Sequence, residues 1–110
     1  MYIKDEDTFG LKYYEYGQAF FGSYKGMRYR VVRDPMEVIF FLPQEKKEEG
    51  KLVATVWPEP FAYDVTPEDK KTTREFDFTD EGKLAMTAWL NEQYESRMEE
   101  WKKAVEKEIV

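Results

Sequence analysis

Toward the C-terminal end of the chain, Met86, Leu90, Tyr94, Met98, Trp101, Val105 and Ile109 are separated by steps of 4, 4, 4, 3, 4 and 4. An α-helix gathers positions with that spacing onto one face. Ala85 and Trp89 widen the stripe near its start, and Glu99–Lys103 and Lys102–Glu106 form i,i+4 pairs on the wetter side. Thr79, followed by Asp80 and Glu81, supplies the cap. A helix over 80–109 is predicted. It would be about 45 Å long at 1.5 Å per residue, against about 35 Å for a compact domain of this size. Its last turns must overhang the sheet, bend around it, fray, or pack on another molecule.

Upstream, the pattern is that of short strands. Tyr13 to Phe21 is aromatic-rich and interrupted at Gly17, where a bulge or bend is expected. Gly22 to Gly26 reads as a turn, and Met27 to Arg33 alternates cleanly, so these two segments are predicted to form a hairpin. Asp34-Pro35 is a turn, and the almost wholly apolar run Met36–Leu42 reads as a central strand. Pro43 to Lys51 is read as an exposed hairpin loop. Leu52–Trp57 is the next strand, ended by Pro58-Glu59-Pro60. Thr66-Pro67-Glu68-Asp69 signals a helix start of no more than about two turns, and Thr73–Phe78 is a last half-buried strand.

Strands first and a helix last predict an α+β fold: an antiparallel sheet of four to five strands with one long C-terminal helix packed on one face. The chain is expected to be a single domain over 1–110, with 1–10 a loosely held arm that Phe9 and Leu11 could dock. The expected core contains Tyr29, Val31, Ile39, Phe41, Val56, Phe76, Phe78, Trp89 and Leu90.

Composition then removes whole classes of chemistry. The 110 residues include no histidine and no cysteine, so imidazole bases, thiolate nucleophiles and the common zinc ligand sets are missing. Glu15, Glu37, Glu59, Asp64, Glu75 and Asp77 offer many carboxylate pairs and no pattern that singles one out. A non-enzyme without a cofactor or metal is expected. With 23 acidic and 17 basic residues the net charge is −6, which makes a polyanion groove and hence nucleic acid an unfavourable partner. No run of apolar residues is long enough to span a membrane, and the start Met1-Tyr2-Ile3-Lys4-Asp5 lacks the basic and apolar segments of a signal peptide. The cytoplasm is the expected location.

Three places carry interaction candidates. Arg28 and Arg30, with Lys25 and Arg33 nearby, form the densest basic cluster. They either bind an anion, with Tyr24 and Tyr29 as stacking surfaces for a nucleic acid, or pair with Glu75 and Asp77 on a wet sheet face. The segment containing Trp57, Glu59, Phe61, Tyr63 and Asp64 is a proline-bounded aromatic loop, either a ligand edge or a lid on the core. Trp101, Val105 and Ile109 either cover the domain's own sheet or form a seam for a partner helix or a homodimer.

The phrases Gly22-Ser23-Tyr24-Lys25-Gly26-Met27-Arg28-Tyr29-Arg30, Ala54-Thr55-Val56-Trp57-Pro58-Glu59-Pro60-Phe61 and Trp89-Leu90-Asn91-Glu92-Gln93-Tyr94 resemble those of a family of small uncharacterised bacterial proteins, over roughly residues 15–95. The resemblance implies that 96–110 extend beyond a shared domain, and it implies no activity and no site residues. The expected function is a small adaptor that binds another macromolecule. The alternatives are an anion or nucleic-acid binder acting through Arg28 and Arg30, and an acidic nucleic-acid mimic.

Overall fold

A computed structural model describes residues 2–109 and their side chains through Glu106. Four strands, β1 (Phe20–Tyr24), β2 (Met27–Asp34), β3 (Lys51–Pro58) and β4 (Thr72–Asp77), form one antiparallel sheet in chain order. Two long helices follow, α3 (Asp80–Ser96) and α4 (Met98–Ile109). Two single-turn helices complete the pattern, α1 (Leu11–Tyr14) before the sheet and α2 (Gln44–Lys47) between β2 and β3. The fold is α+β, with α3 packed against the sheet.

Alternation along the strands divides the sheet into two faces. Met27, Tyr29 and Val31 of β2 and Leu52, Ala54 and Val56 of β3 meet Met86, Leu90 and Tyr94 of α3 in the buried core. Thr79 caps α3, its hydroxyl accepting from the Gly82 N–H at 3.0 Å. The β1–β2 turn is tighter than predicted. Tyr24 pairs with Met27, so the turn is Lys25-Gly26 alone, with φ of 44° and 97°. Positive φ at both central residues is the two-residue geometry whose twist suits a hairpin. Gly22 consequently lies inside β1.

Other expectations are corrected. Tyr13–Phe21 is not one strand: its first part is α1, and Tyr16 forms a lone antiparallel bridge with Val38. Met36–Leu42 is not a central strand. Arg33, only 3% exposed, donates to the carbonyls of Pro35 at 2.8 Å and Lys47 at 3.0 and 3.2 Å, folding the chain between them into a cap on the sheet end. From that cap Ile39 enters the core, while Phe41, expected inside, is 68% exposed. Thr66 does not cap a helix; its hydroxyl donates to the Ala62 carbonyl at 2.7 Å, and only a 3-10 turn, Glu68–Lys70, follows. The loop predicted over 43–51 is exposed as expected except at Lys47 and Gly50, but it contains α2, and at the buried Gly50 a Cβ would meet the Arg33 guanidinium at 2.5 Å. The arm is not loose. Asn91, Lys83 and Thr87 of α3 hydrogen-bond to Tyr2, Ile3 and Asp5.

The length mismatch of the predicted 80–109 helix is resolved by a bend. Arg97 leaves helical geometry at φ −127° and ψ 27°. Its guanidinium bonds to Gln93 and Thr72, each at 3.0 Å, and lies over the Trp101 ring. Trp101 is thereby turned into the core, fully buried, with its indole N–H donating to the Gln93 carbonyl at 3.3 Å. A Cβ at Gly26 would collide with the Trp101 carbonyl, so the hairpin tip rests directly on α4. The Ile109 side chain, last in the predicted stripe, lies outside the described residues.

Candidate functional site

The sheet face turned away from α3 carries the candidate site. Register places Phe21 and Ser23 of β1 beside Arg30 and Arg28 of β2, and those beside Thr55 and Trp57 of β3. Side chains of one pleat phase share this face, so the aromatic and basic residues are neighbours by construction.

Arg30 lies at its centre. Its guanidinium is 4.4 Å from the Tyr63 ring centroid and 6.0 Å from that of Phe21, and one Nη is 3.7 Å from the Met36 sulfur. Such stacking pre-orients the planar head group. Among the described residues no carboxylate lies within ion-pair distance of Arg30, whereas Arg28, Arg33 and Arg97 each have one. The Arg28 pair is loose, its Nε 3.8 Å from Glu59. The Nε atoms of both Arg28 and Arg30 are buried and lack a hydrogen-bond acceptor among the described residues. Native structures leave few buried donors in that state.

The expected pairing of Arg28 and Arg30 with Glu75 and Asp77 is corrected. β3 separates β2 from β4, and Asp77 instead bonds to Lys51 at 2.8 Å, raising the Lys51 pKa. The expected stacking surfaces are also corrected. Tyr29 is buried in the core, and Tyr24 packs edge-on against Tyr94 on that same side.

The proline-bounded loop has a divided role. Trp57 is 2% exposed and its indole N–H donates to the Phe61 carbonyl at 2.7 Å, so this part of the loop folds over the outward sheet face and buries Trp57 there. Tyr63 leans on Trp57 with ring centroids 5.5 Å apart and projects over the basic face, while Phe61 is 58% exposed. Lys71, which sequence reasoning did not single out, brings its ammonium 4.0 Å from the Tyr63 ring. Phe21 was also missed. Reading the turn as Lys25-Gly26 would have set it opposite Arg30.

Trp101 is a core residue and Val105 is half-buried beneath Gly26, so neither stands on an open seam. Other candidate acids are engaged by bases: Glu15 with Lys47 at 3.0 Å and Glu37 with Arg33 at 3.9 Å. Among the described residues no group of acids has the arrangement of a metal site, and no helix is long and apolar enough to cross a membrane. No family model, curated protein or solved structure matches this chain.

Proposed function

We propose that this chain is a non-enzymatic protein-binding domain of the cytoplasm that takes an acidic group of a partner protein on its outward sheet face. The reading is carried by one observation: Arg30 is held between Phe21 and Tyr63 with no carboxylate in ion-pair reach among the described residues, in a chain with six more acids than bases, 23 against 17. A guanidinium already held in place loses little freedom on binding, and its fork matches a carboxylate.

A protein partner is favoured over a nucleic acid on two grounds. The Tyr63 ring is engaged by Arg30, Lys71 and Trp57, so it is not free to stack on a base. The net charge of −6 opposes a long polyanion while leaving a single local carboxylate attractive.

The test is fluorescence anisotropy with a labelled peptide that carries one glutamate among valines and threonines. Replacing both Arg28 and Arg30 by alanine is expected to weaken binding about tenfold, or about 1.4 kcal/mol, with the circular dichroism spectrum unchanged. Equal affinity for the double variant, or tighter binding of a single-stranded oligonucleotide than of the peptide, would overturn the proposal.

A further inference from the structure

The two edges of the sheet differ. β4 carries Arg74, Glu75 and Asp77, charges of the kind that protect an edge from unwanted pairing. β1, Phe20-Phe21-Gly22-Ser23-Tyr24, carries no charge, and no strand pairs with its outer side among the described residues. Its hydrogen-bonding phase follows from the ladder. The Glu59 N–H donates to the Gly26 carbonyl at 3.0 Å, so Gly26, Arg28 and Arg30 direct their backbone groups to β3, and Met27, Tyr29 and Val31 direct theirs to β1. Phe20, Gly22 and Tyr24 receive them. The backbone N–H and C=O groups of Phe21 and Ser23 therefore point away from the sheet.

These two residues are the ones beside Arg30 and Arg28, and their side chains share the arginines' face. A residue opposite Ser23 on an added strand would lie about 10 Å from Arg28, two interstrand spacings away. Long side chains bridge that gap because only the short Ser23 hydroxymethyl stands between. Arg30 is the diagonal neighbour of the same position. On the other side Phe21, 59% exposed, offers an apolar wall.

Resting on the reading of the arginine face given above, we propose that the partner binds as an extended segment, adding antiparallel to β1 as a fifth strand and placing a carboxylate over Ser23, before Arg28 and Arg30. The recognised sequence reads acid, apolar, apolar, opposite Ser23, Gly22 and Phe21 in turn. The uncharged edge supplies main-chain pairing and the arginines supply charge complementarity, which together select a strand with an acid at one place.

The probe is the capped hexapeptide Thr-Val-Glu-Val-Val-Thr, observed by amide hydrogen exchange and by anisotropy. Saturating peptide is expected to slow exchange at the Phe21 and Ser23 amides at least tenfold. N-methylation of the residues that face β1 is expected to weaken binding at least tenfold, a test that leaves the protein unaltered. If binding depends on Arg28 and Arg30 but the methylated peptide binds equally and the two amides are not protected, the strand is wrong and the arginine face stands. If binding is absent or indifferent to the arginines, both proposals fall. If the free protein is a dimer with those amides already protected, a second copy occupies the edge and the strand proposal is overturned.

Discussion

The side-chain amide of Asn91 holds the backbone of Ile3 in both directions: Oδ1 accepts from the Ile3 N–H at 2.8 Å and Nδ2 donates to the Ile3 carbonyl at 2.8 Å. Oδ1 also accepts from the Tyr2 N–H at 2.8 Å, and Nδ2 donates to the Thr87 carbonyl at 2.9 Å. The arm is thereby attached to α3 at a site where Ile3 is 2% exposed. Asn91→Ala leaves those groups unpaired, and the expected loss is about 2 kcal/mol. Urea titration reads the stability, and new cleavage within residues 1–10 under limited proteolysis reads the release of the arm.

Asp5 makes the same attachment sensitive to acid. Burial alone would raise its carboxyl pKa, but hydrogen bonds from Lys83 and Thr87, with the Lys83 charge, outweigh it and hold the group below its ordinary 3.8. The unfolded chain therefore takes up this proton first as pH falls. The contribution is complete above the ordinary value and is lost as pH drops through the lower folded one. The stability gap between wild type and Asp5→Asn is expected to be constant near neutrality and to close below about pH 4, in denaturation curves recorded from pH 7 to 2.

Gly82 reverses a familiar substitution rule. In an open helix Gly→Ala gains about 1 kcal/mol. Here a Cβ would strike the backbone carbonyl of Asp77, which cannot swing aside as a side chain would. Gly82→Ala is expected to lower stability by about 1–3 kcal/mol, visible as a lower thermal midpoint.

The bend at Arg97 makes α4 part of the core. Trp101→Ala is expected to cost about 3–5 kcal/mol, whereas Met98→Ala, at a residue 46% exposed, is expected to change stability by less than about 0.5 kcal/mol. A chain ending at Tyr94 is expected to unfold at lower urea than the full chain, because it removes Trp101 from beneath the hairpin tip.

Ile39 and Phe41 distinguish the observed cap from the strand that the sequence suggests. Ile39→Ala is expected to cost about 2–5 kcal/mol. Phe41→Ser, on a side chain 68% exposed, is expected to cost less than about 0.5 kcal/mol. A strand covered on both faces would make both substitutions costly, and paired chemical denaturation curves decide between them.

The legible parts of the sequence were those governed by local rules. The alternation of Met27–Arg33, the Thr79 cap and the stripe from Met86 to Tyr94 each reflect a period or a short-range hydrogen bond, and each reappears in the structure. The run Met36–Leu42 was misleading because composition cannot reveal that Arg33 would gather the Pro35 and Lys47 carbonyls. The docking of the arm was hidden for a similar reason, since nothing near Ile3 announces Asn91. At the candidate site Arg28 and Arg30 stood out as a basic cluster. Phe21 did not, because its partner depended on a turn two residues long, and Lys71 reaches Tyr63 only through the folded loop.

The contact between Asn91 and Ile3 also sets an order on biosynthesis. In a growing chain Ile3 is made well before the residue that receives it, which lies 88 positions later. The floor of the hairpin comes later still, with Trp101. Until then the apolar strand Phe20–Tyr24 and the arm have no final seat, and both must be kept apart from other chains. Completion of this fold therefore waits on Asn91 and Trp101, which are made long after the segments they hold in place.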